Sequence, residues 1–234
     1  GTFGSFSTFF DGTANYDPVG AQVAASTVFN SAVYFRAGAT GPRDVLETVA
    51  SGSESTIRSN PTEANSTFTI GSLNFALTQT LEPVFDSMGV QNGTLLTQTY
   101  VVTNTSMTSS DFELVRYVDG DLSFDGSIQD GGGRLTLPTG EEILFETDAG
   151  GDPSTATTFF GITGLGGSTP SNGRFEVENF SVLQGNIEAG LALSDAFTDF
   201  GVSVDTDMDE FVDAGSEYDL ALGLLNSFSL ATGE

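Results

Sequence analysis

The chain has 234 residues and a formal charge of −26, set by 32 acidic side chains against six arginines, and it contains no Lys, His, Cys or Trp. That balance excludes nucleic acid as a direct partner, because a phosphate backbone needs a basic face, and it disfavours anionic membrane surfaces. It also removes Ser-His and Cys-His nucleophile pairs, Schiff-base chemistry and imidazole-ligated zinc.

From the first residue onward the signals are those of strands and turns. Residues 1–10 (GTFGSFSTFF) place Phe3, Phe6, Phe9 and Phe10 in a small, uncharged segment. Such a segment is poor as a free tail. It reads either as a first strand tucked into its own sheet or as a strand donated to a neighbouring subunit. The chain begins at Gly1, which suggests a processed or trimmed N-terminus. The expected division is this segment, residues 1–12, followed by one large β domain over 13–234.

An apolar stretch over 20–36 ends in Val33-Tyr34-Phe35 and reads as a strand, and Pro42 opens one or two helical turns over 42–50. In STFTIGSLNFALTQT (66–80), Phe68 and Ile70, then Leu73, Phe75 and Leu77, alternate with polar residues around a Gly-Ser break. That is the pattern of two strands. Residues 95–103 and 112–118 read as a further pair. The glycines at 131–133 and 161–167 read as loops. Leu135 and Leu137, then Ile143 and Phe145, flank a Pro-Thr-Gly turn and predict a hairpin. Residues 157–162, 174–183 and 217–230 supply three more strands, while 186–200 fits either a helix or a strand and loop. Short strands between Gly, Asp, Ser and Thr clusters predict an all-β fold, an antiparallel β-sandwich of immunoglobulin-like or jelly-roll type with long acidic loops and little helix.

Two acidic stretches stand out. In Asp205-Thr-Asp207-Met-Asp209-Glu-Phe211-Val-Asp213 the carboxylates fall at positions one, three, five and nine of a tight loop, with Phe211 offering its carbonyl at position seven. That spacing suits a hard cation, and Ca2+ is the expected cofactor. An EF-hand would want Gly at position six and Glu at twelve. Here those places hold Glu210 and Ser216, with Glu217 one residue late, so the pattern is an Asp-rich calcium loop of another kind. The competing reading is a solvated acidic turn. A second, less regular candidate is Asp119-Gly-Asp121-Leu-Ser-Phe-Asp125, followed by Asp130. Asp and Gly also make ordinary turns. Arg116, Arg134 and Arg174 lie among acidic segments and suggest bidentate carboxylate pairs. Sequons at Asn65, Asn92, Asn104 and Asn179 are compatible with glycosylation.

Tyr100-Val-Val-Thr-Asn104-Thr-Ser resembles the strand-and-turn signature of immunoglobulin-like sandwich repeats in bacterial and archaeal surface proteins. Leu114-Val-Arg116-Tyr-Val-Asp-Gly-Asp121 and the late Asp-rich loop are similar to segments of secreted, calcium-associated surface proteins. The resemblance covers residues 95–150 and 203–234. It implies a cell-surface or matrix role in adhesion or assembly and carries over no catalytic residue.

So many carboxylates repel one another unless salt or divalent cations neutralise them, which points outside an ordinary cytoplasm. The expectation is an extracellular or cell-surface structural subunit, assembling into a homopolymeric filament, sheath or surface layer. The alternative is a calcium-dependent carbohydrate-binding or adhesion module, with a glycan as partner. Paired carboxylates leave glycan hydrolysis chemically open, but without Trp platforms the chain is not expected to be an enzyme. No apolar run is long enough to span a bilayer as a helix.

Overall fold

Apolar alternation with period two is clearest in β7 (Leu73–Phe85), where Leu73, Phe75 and Leu77 are buried between exposed residues. The computed structural model describes residues 2–6, 8–10, 25–60, 62–122, 127–148 and 159–234. Among these the fold is almost entirely antiparallel β-sheet. A five-stranded sheet runs in the order β13 (Phe175–Asn179), β16 (Leu220–Leu230), β9 (Ser110–Asp119), β3 (Asn30–Ala37) and β4 (Asp44–Val45). A four-stranded meander joins β5 (Ser51–Asn60), β6 (Glu63–Ile70), β7 (Leu73–Phe85) and β8 (Gln91–Asn104). A three-stranded sheet comprises β10 (Gly131–Thr136), β11 (Glu142–Thr147) and β12 (Phe159–Ile162). Two small ribbons pair β1 (Thr8–Phe10) with β2 (Ala25–Val28), and β14 (Thr198–Asp199) with β15 (Val202–Ser203). The helices are a single turn, α1 (Leu46–Val49), and the longer α2 (Phe180–Glu188).

The five-stranded sheet is the middle layer. On one face Val33, Phe35 and Phe112 meet Phe68, Phe75 and Leu77 of the meander, giving a sandwich core rich in ring contacts. Phe68 and Phe75 stack at 4.9 Å, as do Phe112 and Phe228. Farther along that face Val118, Leu220, Leu222 and Leu224 pack with Leu144 of β11 and with Val204 and Val212. The opposite face carries Tyr34, Val115, Tyr117 and Leu225, and Leu183 and Ile187 of α2 cover it. β16 is therefore buried on both sides, and Leu220-Ala-Leu-Gly-Leu-Leu reads as a continuous apolar run for that reason.

The hairpins at 66–80 and 135–145 form as expected, with Phe68 opposite Phe75 and Leu135 opposite Ile143. Four expectations are corrected. Residues 95–103 and 112–118 do not pair: β8 closes the meander beside β7, whereas β9 lies between β16 and β3. The 20–36 stretch carries two strands, with exposed Phe29 between them. Gly131–Gly133 is the start of a buried strand and not a loop. A Cβ at Gly133 would sit 2.5 Å from the Phe211 ring, so glycine is required for the strand to pass beneath it. Finally, 174–183 is not one strand. After Val177 the buried apolar positions shift to Leu183 and Ile187, four apart, and Asn179 caps the new helix by accepting from the Ser181 N–H and hydroxyl at 3.3 and 2.8 Å.

Candidate cation sites

The 205–213 loop is clamped at both ends by buried valines. Val204 N–H donates to the Phe197 carbonyl, Asp213 N–H to that of Val204 at 2.7 Å, and Val212 N–H to that of Gly132 at 2.8 Å. Between the clamps the chain turns through left-handed residues at Met208 (φ 62°) and Glu210 (φ 74°). The aspartates hold that shape. Asp205 accepts from the Asp209 and Glu210 N–H groups at 3.1 and 3.2 Å, and Asp209 accepts from Phe211 N–H at 3.0 Å.

As a result Asp205, Asp207 and Asp209 each present a carboxylate oxygen within 4.8 Å of the other two, on an exposed tip. Of the other expected side-chain ligands, Asp213 and Glu217 fall outside this group. Asp213 Oδ2 accepts from the Thr206 N–H and hydroxyl at 3.1 and 2.5 Å. Glu217 accepts from Gly215 N–H at 3.1 Å, and the Phe211 ring packs on Phe145 with centroids 5.8 Å apart. Glu210 is pinned by a bidentate pair to Arg134, whose other arm reaches Glu142 at 3.1 Å.

The second stretch is assembled differently from its sequence reading. Asp119 closes β9, and Asp121 follows it in the next loop. Asp125 lies outside the described residues. The third member of the group is Asp219, and Asp119, Asp121 and Asp219 have carboxylate oxygens within 4.8 Å of one another. Asp219 could not be found from spacing, since it stands about a hundred residues away. The pairing of β9 with β16, with Ala221 opposite Asp119, brings it there.

Beside this group lies Glu146 of β11, fully buried. Its Oε1 accepts from Gly120 N–H at 3.4 Å, while its Oε2 is buried without a hydrogen-bond partner among the described residues. Burial, then the charges of Asp130 and Asp119, hold the Glu146 carboxyl well above the usual range. Burial, followed by Asp121 and Asp219, pushes Asp119 up to about 7.

Two other acids, Glu178 and Asp195, are tied into the fold by several hydrogen bonds each. Glu178 accepts from the N–H groups of Asn179, Phe200 and Gly201 and from the Thr198 hydroxyl. Asp195 accepts from Gly173, Arg174 and Phe175. Arginine pairing holds for Arg134 and Arg174, which share Glu142, and Arg36 and Arg43 converge on Glu113 at 2.5 and 3.1 Å.

Arg116 corrects the expectation, because its partners are neutral: Gln98, the Gly4 carbonyl at 3.0 Å, and the Phe6 ring with its centroid 5.6 Å away. The N-terminal segment thus docks on its own chain. The Phe3 carbonyl accepts from the Tyr100 hydroxyl at 2.8 Å, the Gly4 carbonyl from Gln98 at 2.8 Å, and the Phe3 ring sits 5.1 Å from Phe68. Backbone pairing places Phe9 opposite Ser26 and Phe10 opposite Ala25. Of the sequons, Asn104 is fully buried, donating to the Thr108, Leu230 and Ala231 carbonyls, and Asn179 is the helix cap, so neither side chain is presented for modification.

No family model, curated protein or solved structure matches this chain.

Proposed function

We propose that the protein is an extracellular structural subunit that associates with further copies of itself through the open edge of the meander. One observation carries the reading. Among the described residues β8, Gln91–Asn104, is an edge strand of fourteen residues with no charged side chain and no proline, in a chain of net charge −26, and only its last residue, Asn104, has its outward backbone groups taken up, by Gly233 and Glu234. Soluble proteins blunt exposed edges with charge, proline or bulges, because an open row of N–H and C=O groups templates further pairing. Here the outward face is Leu95, Thr97, Thr99, Val101 and Thr103, all exposed and neutral. Leu95 and Val101 are more than half exposed.

Beyond Thr80 the β7–β8 ribbon extends past its neighbour β6 and exposes Leu81, Val84, Phe85, Met88 and Val90. A second copy is the occupant that fits. Two such acidic molecules repel everywhere except where charge is missing, and an antiparallel pairing of β8 with itself would be self-complementary. The N-terminal Phe3 and Phe6 do not favour strand donation, since both pack within their own chain. Calcium belongs to the same proposal. The convergent oxygens of Asp205, Asp207 and Asp209 fit a hard cation with ligand distances of about 2.3–2.6 Å, and neutralising that tip lowers the repulsion between copies.

The test is light scattering and electron microscopy of the purified chain, with millimolar calcium and with chelator. The native chain is expected to form a concentration-dependent dimer favoured by calcium, because a two-fold pairing of β8 with itself closes on two copies, and Leu95→Glu with Val101→Glu is expected to stay monomeric with an unchanged melting temperature. A native chain that remains monomeric in every condition overturns the reading. Calcium-dependent retention of that monomer on a glycan array would then support a carbohydrate-binding module instead.

A further inference from the structure

Glu146 is fully buried, and one of its carboxylate oxygens has no hydrogen-bond partner among the described residues. Its side chain lies against Gly120, between Asp119 and Asp121, so closely that a Cβ at Gly120 would stand 1.7 Å from Oε2. Among the described residues no arginine pairs with it: the ion pairs reach only Glu113, Glu142 and Glu210. A buried carboxylate with an unpartnered oxygen, facing a stretch that carries further carboxylates, is costly unless a cation or a proton joins it.

We infer that Asp119, Asp121 and Asp219, with Glu146 behind them, form a buried site for a hard divalent cation of the calcium class. The oxygens of the three aspartates lie within 4.8 Å of one another, the span that one cation bridges at ligand distances of about 2.3–2.6 Å. An all-oxygen donor set suits calcium or magnesium and not a soft metal. Asp121 and Asp219 are partly exposed and supply the way in, whereas Asp119 and Glu146 are buried and fixed by their strands. The ion ties the end of β9 to the start of β16 and, through Glu146, to β11, so that it locks the three-stranded sheet onto the central one. It requires neither the exposed 205–213 loop nor self-association.

The experiment uses the full chain carrying Asp205→Asn, Asp207→Asn and Asp209→Asn, which silences the exposed loop, stripped with chelator and titrated with calcium by calorimetry. The expected result is one ion per chain and a calcium-dependent rise in melting temperature. Adding Glu146→Gln or Asp219→Asn lowers the affinity about tenfold or more. In chelator the Glu146→Gln chain melts no lower than its parent, because glutamine needs neither a cation nor a proton there; in calcium the parent melts higher. Absence of binding in the loop-silenced chain overturns the inference. So does an affinity indifferent to Glu146→Gln, or a Glu146→Gln chain that melts higher in both conditions, which means that protons and not a cation hold the cluster. If Asp219→Asn does not fold, Glu146→Gln and Asp121→Asn decide.

Discussion

Gly120→Ala is the sharpest probe of how the second acidic site is built. Gly120 does not occupy the left-handed region, so alanine meets no backbone penalty there, and any cost comes from the new methyl group. That methyl would lie 1.7 Å from Glu146 Oε2 and 2.8 Å from its Cδ, and Glu146 is fully buried with no solvent into which to swing. Overpacking of this kind costs about 1–3 kcal/mol. For a chain of this size that is a fall of roughly 2–12 °C in melting temperature.

The cost should be specific to Glu146. In a double-mutant cycle, Glu146→Ala removes the clashing group, so Gly120→Ala should become nearly neutral in that background, with a coupling of about 1–3 kcal/mol. Thermal and urea unfolding of the four chains in chelator measure it. A Gly120→Ala chain within about 0.5 kcal/mol of the native one, or strictly additive effects, would refute the placement of Glu146 against the 119–121 segment.

The tyrosines make a pH prediction. Burial, and then the neighbouring Glu188, raises Tyr34 from 10.0 to about 12, and burial also raises Tyr100, Tyr117 and Tyr218. The unfolded phenol ionises first, so stability falls as pH climbs from 10 toward 12, with Tyr34 alone contributing roughly 2–3 kcal/mol to that loss. With no Trp to interfere, phenolate absorbance should show these four tyrosines ionising together with unfolding; smooth titration of all of them near pH 10 in the folded chain would contradict their burial. Arg134→Ala removes a partly exposed network to Glu210 and Glu142 and a guanidinium 4.6 Å from the Phe175 ring centroid. It should cost about 1–2 kcal/mol, since exposed pairs contribute little. The same change should speed amide exchange at Glu210 and Phe211; unaltered protection there would show that the loop does not depend on Arg134.

The sequence by itself determined whatever depends on near neighbours along the chain. Alternation of Phe68, Ile70, Leu73, Phe75 and Leu77 around Gly71-Ser72 requires a hairpin, because period two buries one face and the turn sets the register. The odd-numbered aspartates from 205 to 209 were likewise legible, since a five-residue stretch can converge only on itself. Tertiary structure decided the rest. Whether Gly131–Gly133 is loop or strand depends on Phe211 lying over it, and the end of β13 at Asn179 depends on a helix having a sheet face to cover. Asp219 reaches Asp119 through the pairing of β16 with β9, and Glu146 through the packing of β11 against them, across separations that no local pattern records. The missing charge of Gln91–Asn104 could be seen in the sequence, but its meaning could not. Only the strand order shows that this segment lies at an edge of its sheet among the described residues.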